Sequence, residues 1–163
     1  MKNVRPSALS PETAPDFVAG CPFCIIDQDR TTIIGDYPWS RAILSNPRLA
    51  PGHLLLIPKR HVELLSQLDE KELQELVSLI ISYQQKIVCG LTPGCDLRQN
   101  YHPFEPQGEV KVDHLHVHLI PRSLDDKLYT DAQMYEEDLF QMVPAQEKER
   151  FINFYRRLGS ECV

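Results

Sequence analysis

His114-Leu115-His116-Val117-His118-Leu119-Ile120-Pro121-Arg122 alternates a histidine with an apolar residue for its first six positions and then closes on a proline. Successive side chains of a strand leave on opposite faces, so this alternation predicts a strand with one face in a core. Leu115, Val117 and Leu119 then point inward, and the three imidazoles share the other face, about 7 Å apart along the strand. Val110 and Val112 show the same two-residue spacing in the segment before the strand. Pro121 ends it, because proline has no N–H for a ladder.

Working outward, Ala42-Ile43-Leu44 and Leu54-Leu55-Leu56-Ile57 are two apolar runs joined by Ser45-Asn46-Pro47-Arg48-Leu49-Ala50-Pro51-Gly52. The turn formers between them predict a hairpin with a long loop. Pro58 stops the second strand. From Asp69 the period changes: Leu73, Leu76, Ile80, Tyr83 and Ile87 recur as on one face of an α-helix. Asp69 with Glu72 reads as a capping box, and Gly90 stands where a left-handed C-terminal cap would. The helix is then about 20 residues and ~30 Å long. Helical patterns also cover 131–142 and 146–158, the latter with Phe151, Phe154 and Leu158 before Gly159. Strand-strand, long helix, strand-strand, short helices is the order of an α+β domain: an antiparallel sheet with one long helix and short C-terminal helices.

The chain has 163 residues, enough to bury a core without disulfide staples. Its 17 Lys+Arg against 23 Asp+Glu give a net charge of −6, and no basic block could track a phosphate backbone, so no nucleic-acid partner is expected. No apolar run approaches the ~20 residues that span a bilayer, and no membrane partner is expected. Residues 1–19 carry Pro6, Pro11 and Pro15 among small polar residues and predict an irregular arm, leaving 20–163 as one domain. That arm lacks the apolar stretch of a secretory signal, and the five unevenly spaced cysteines suit a reducing compartment; the expected location is cytoplasmic.

Packing alone does not call for three histidines in register, and two chemistries suit them. His-x-His can offer two ligands to one metal ion, giving a zinc-catalytic hydrolase. Alternatively, a neutral imidazole with one nitrogen tied to a carbonyl can attack phosphorus with the other, forming a covalent intermediate that water breaks. Cys21-Pro22-Phe23-Cys24 is the one cysteine motif. It reads as a redox pair, as half of a zinc site needing two more ligands, or as two unliganded buried thiols.

The stretch His114 to Arg122, preceded by Leu49-Ala50-Pro51-Gly52-His53-Leu54-Leu55-Leu56-Ile57-Pro58-Lys59-Arg60-His61, closely resembles the histidine triad superfamily of nucleotide hydrolases and transferases. The likeness covers roughly residues 21–125. It implies a histidine-triad fold and attack on the α-phosphate of a nucleoside phosphate conjugate or dinucleoside polyphosphate, with His116 as the nucleophile. It implies that His118 lines the same phosphate site and that His53 supports the nucleophile. It points to Ser45 and Asn46 near the ribose, and to a homodimer acting on a small-molecule nucleotide. Members with an N-terminal Cys-x-x-Cys typically hold a structural Zn2+, which here implies Cys21, Cys24, His61 and His114 as ligands. A non-catalytic nucleotide sensor using the same pocket is the rival reading.

One departure stands out. Many members carry a polar leaving-group helper four residues before the first histidine of the triad, where this chain has Val110. Gln107 or Glu109 could substitute if the loop bulges, and Asn100 marks the end of the preceding strand. His102 reads as a loop residue or a leaving-group contact, and Arg122 as the partner of a surface acid or of a phosphate.

Overall fold

Leu54–Pro58 is buried along its whole length because it lies at the centre of a sheet with strands on both sides and packing on both faces. The structure, a computed structural model, describes residues 15–108, 111–127, 130–131 and 143–157. Five strands form one antiparallel sheet: β1 (Ile33–Asp36), β2 (Ser40–Leu44), β3 (Leu54–Pro58), β4 (Gly94–Arg98) and β5 (Val117–Arg122), in the order β1-β2-β3-β5-β4. The predicted hairpin is β2–β3, in register from Ser40↔Pro58 to Leu44↔Leu54. Helix α1 (Glu70–Gly90) follows β3, and α2 (Ala145–Arg157) lies near the C-terminus. The α+β expectation holds.

One sheet face packs on α1. Ala42, Leu54, Leu56, Leu115, Val117 and Leu119 meet Leu76, Leu79, Tyr83 and Ile87 there, and each fully buried leucine contributes roughly 2 kcal/mol. On the other face Ile43, Leu55 and Ile57 form a smaller cluster with Phe23 against it. This second face carries the histidines.

Local expectations were met unevenly. The capping box is present: the Asp69 carboxylate accepts the Glu72 N–H, and the Glu72 carboxylate accepts the Asp69 N–H, each at 2.9 Å. The buried stripe of α1, however, is Glu72, Leu76, Leu79, Tyr83 and Ile87. Leu73 faces outward instead, with Val77, Ile81 and Val88, because α1 carries a second apolar stripe. Gly90 is no left-handed cap. It is the last helical residue, and the Leu91 and Thr92 N–H groups both bond to the Ile87 carbonyl.

The triad strand is shorter than the alternation implies. Pairing begins at Val117, while Leu115 donates its N–H to the Val62 carbonyl, so His114 and His116 precede the ladder. β5 also runs one residue past Pro121. Strand β1 had no sequence signal, and β4 ends at Arg98 rather than at Asn100. Val110, Glu109, residues 1–14, most of 131–142, and Leu158 and Gly159 lie outside the described residues.

Candidate active site and metal centre

Phe23 packs edge-on against two rings, His114 at 5.8 Å and His116 at 5.3 Å between centroids, and so touches one ring from each of two clusters. The first cluster gathers Cys21 and Cys24 from the N-terminal loop, His61 from just past β3, and His114 from the approach to β5. Their ligand atoms all lie within 4.8 Å of one another. Cys21 Sγ is 3.4 Å from His114 Nδ1, Cys24 Sγ is 3.6 Å from the same nitrogen, and Cys24 Sγ is 3.3 Å from His61 Nδ1.

The donor set fits a metal ion. Bond lengths of about 2.3 Å to sulfur and 2.0–2.1 Å to nitrogen place tetrahedral S and N ligands about 3.5 Å apart, close to these separations. His114 also donates Nε2–H to the Pro58 carbonyl at 2.9 Å, which leaves Nδ1 with its lone pair toward the two sulfurs. Burial pushes the Cys21 thiol above its ordinary range and holds His61 below its own, with His114 down at about 4. Neutral imidazoles are ready ligands, and a cation would reverse the penalty on the thiolates.

The second cluster is His53, His116 and His118. His116 is half-buried, and its Nδ1–H donates to the His114 carbonyl at 2.7 Å. Its Nε2 therefore carries the lone pair. The tautomers of the other two follow from one backbone donor: Leu49 N–H bonds to His53 Nδ1 at 3.2 Å, so His53 carries its proton on Nε2. That proton points at His118 Nδ1, 3.0 Å away, which leaves His118 with Nε2–H as a free donor. The His116 and His118 rings are 4.8 Å apart, closer than the strand repeat because His116 lies off the ladder.

All three of these histidines are held toward the neutral form. Burial is the main cause for His53 and His118, each at about 4, with the Arg98 charge adding to it; for His116 burial outweighs the hydrogen bond to the His114 carbonyl. A neutral imidazole with a fixed tautomer can act as a nucleophile, and its neighbour can present an N–H to a phosphate oxygen.

The remaining expected residues lie on the connecting loops. Ser45 opens the β2–β3 loop, where its N–H bonds to the His53 carbonyl at 2.9 Å and its hydroxyl donates to the Pro47 carbonyl at 2.7 Å. Asn46 is exposed beside it, and Asn100 and Gln107 are exposed on the β4–β5 loop. His102 is on that loop too, stacked on Phe104. Arg122 does meet acids: its guanidinium bonds to Asp96 and Asp126. Two residues at the site escaped the sequence reading. Phe23 was hidden inside the Cys-x-x-Cys motif, and Arg98 needed the strand register to be seen, since it pairs directly with His118 across β4–β5.

Known proteins share this architecture. Residues 27–125 match the HIT domain family. The asymmetrical bis(5′-nucleosyl)-tetraphosphatase of Schizosaccharomyces pombe is 31% identical over 114 residues, 61% of this chain and 57% of that enzyme, so the chain spans little more than half of that relative. Adenosine 5′-monophosphoramidase of the same yeast is 27% identical over 107 residues, 63% of this chain and 74% of that enzyme. The crystal structure of a HIT family protein from Bacillus anthracis superposes with a TM-score of 0.62 at 23% identity, covering 85% of this chain and 94% of that one, a likeness of fold.

Proposed function

The chain belongs to the HIT domain family, and from that we infer that it is a nucleotide hydrolase or transferase whose His116 attacks the α-phosphate of a nucleoside phosphate conjugate or dinucleoside polyphosphate. The observation that carries this reading is the bond from His116 Nδ1–H to the His114 carbonyl, which frees the Nε2 lone pair on the exposed side of the sheet. Relatives named as a tetraphosphatase and a phosphoramidase support the substrate class. The reacting unit is one domain, residues 20–163.

The reaction runs in two displacements. The Nε2 lone pair of His116 forms a bond to phosphorus as the bond from phosphorus to the leaving group breaks, and the leaving group keeps that electron pair. A polyphosphate departs as its own anion; an amine takes a proton from solvent. Water then attacks the same phosphorus, the P–N bond breaks, His116 recovers its lone pair, and a nucleoside monophosphate and a proton are released. His118 Nε2–H holds a phosphate oxygen throughout, with its tautomer set by His53 and the Leu49 N–H. Ser45, Asn46, Asn100 and Gln107 bind the rest of the substrate.

Cys21, Cys24, His61 and His114 would hold a Zn2+ ion, which would supply a structural crosslink rather than catalytic chemistry, since four protein ligands would complete its set. His114 would thereby be fixed, and its carbonyl orients His116. This division argues against a metal shared by His114, His116 and His118, because both ring nitrogens of His114 are already engaged. The outward stripe of α1, Leu73, Val77, Ile81 and Val88, supports a homodimer, and the free cysteines suit the cytoplasm.

Intact mass spectrometry tests the reading. The chain and His116→Ala are each mixed with an adenosine 5′-phosphoramidate and with diadenosine tetraphosphate, and released mononucleotide is measured. An adenylyl adduct or turnover that vanishes in the variant is expected. Bound nucleotide with neither adduct nor release would make the chain a nucleotide sensor.

A further inference from the structure

Arg98 ends the edge strand β4 directly opposite His118, as an antiparallel Cα pair. Side chains of such a pair leave the same face with Cβ atoms about 4.5–5.5 Å apart, so the guanidinium stands on the histidine face of the sheet, beside His118 and away from α1. Its charge is felt there, adding to burial in holding His53 and His118 neutral. The chain as a whole is acidic, at −6, so an anionic substrate depends on a local cation.

The partner of Arg98 is one it can give up. Among the described residues its ion pair is with Asp96 Oδ2 at 3.2 Å, and both side chains are well exposed, at 39% and 38%. An exposed pair of this kind contributes little and exchanges readily. Asp96 does not lose its countercharge when Arg98 turns away, because the same oxygen is bonded to the buried Arg122, which Asp126 also holds. Arg98 is thus stored on a shared carboxylate, at the end of a row that runs His116, His118, Arg98.

Building on the function inferred above, we propose that Arg98 binds the phosphates beyond the reacting one and so makes the site selective for dinucleoside polyphosphates over conjugates with a single phosphate. With the α-phosphorus at His116 Nε2 and an oxygen on His118 Nε2–H, the next phosphates lie within reach of the guanidinium, which takes two oxygens at once. Arg98 supplies a leaving-group contact from β4, in a chain whose usual helper position is Val110.

Steady-state kinetics on the full chain, Arg98→Met and Arg98→Lys, with diadenosine tetraphosphate and adenosine 5′-phosphoramidate, test this. Arg98→Met should lower kcat/KM for the tetraphosphate by about tenfold or more and change that for the phosphoramidate by less than about twofold, with Arg98→Lys in between. Added KCl should raise the tetraphosphate KM less steeply in Arg98→Met than in the parent. Equal losses on both substrates, or none, would overturn the proposal. Binding of diadenosine tetraphosphate and of AMP to His116→Ala, with and without Arg98→Met, reads Arg98 apart from chemistry. Weaker tetraphosphate binding with AMP unchanged supports the role of Arg98 even if the covalent mechanism fails, and unchanged tetraphosphate binding refutes it.

Discussion

His53 and His118 form a stacked, hydrogen-bonded pair: Nε2 of the first lies 3.0 Å from Nδ1 of the second, and the rings are 5.1 Å apart at 26°. The pair transmits the orientation of the Leu49 N–H, at the tip of the β2–β3 loop, to the face where phosphate is to bind. Since His53 is only 2% exposed, the function inferred above gives it the part of positioning His118 rather than of touching substrate. Replacing it by phenylalanine keeps the ring and removes the relay. His53→Phe should lower kcat by roughly 10- to 100-fold with a smaller change in KM. Unchanged kcat in a variant with a native circular dichroism spectrum would show that His118 needs no such orientation.

The same pair makes stability depend on pH. Burial chiefly lowers both rings from 6.5 to about 4, with the Arg98 charge next for His53 and the neighbouring His116 and His53 ahead of Arg98 for His118. Between those values the unfolded chain binds protons that the folded chain does not, so stability rises with pH across this window. The contribution is complete above about 6.5 and is lost as pH falls through about 4. The urea midpoint of metal-stripped protein should therefore drop from pH 7 to pH 4.5, and His53→Phe should show a shallower drop. A variant with the parent's slope would place the titration elsewhere.

Removal of the metal should loosen the fold. Cys24→Ser deletes the sulfur that lies near both His61 and His114. Metal analysis should find about one zinc per chain in the parent and far less in this variant. A loss of ~3 kcal/mol would lower Tm by roughly 6–12 °C, and chelator should reproduce the shift in the parent but not in Cys24→Ser. Full metal content in the variant would rule out this ligand set.

Glu72 is 5% exposed and holds three donors: the Asp69 N–H at 2.9 Å, Arg60 Nε at 2.9 Å and Arg60 Nη2 at 2.7 Å. It ties the N-terminus of α1 to the residue preceding His61, one of the four residues proposed to hold the metal. Glu72→Gln keeps the shape and loses the charge, and should destabilise by ~1–3 kcal/mol in a denaturant titration. A smaller effect would mean that the cap alone holds this end of the helix.

Much of this was legible in the chain itself. Alternation around the triad placed Leu115, Val117 and Leu119 in the core, and the capping box and hairpin were readable, because such signals depend on neighbours a few positions apart. The edge strands β1 and β4 carried no such pattern: half exposed and containing Gly35, Gly94 and Asp96, they are ordered by their partners rather than by their own periodicity. Sequence could not choose between the two apolar stripes of α1 either, since only packing against the sheet buries one of them.

What the sequence determined by itself is the kind of chemistry, a row of imidazoles behind an apolar face, and the family to which that row belongs. The tertiary structure alone supplied the distances and hydrogen bonds around each histidine. Cys21 and His114 are 93 positions apart, and nothing local encodes their meeting; the resemblance suggested it and the fold brought them to 3.4 Å. The Leu49 N–H and the carbonyls of His114 and Pro58 set which imidazole nitrogen keeps its lone pair, and the β4–β5 register put Arg98 beside His118. These are distances and directions between segments remote in the chain, fixed by the packing that closes the sheet, and residue order records them only through the finished fold.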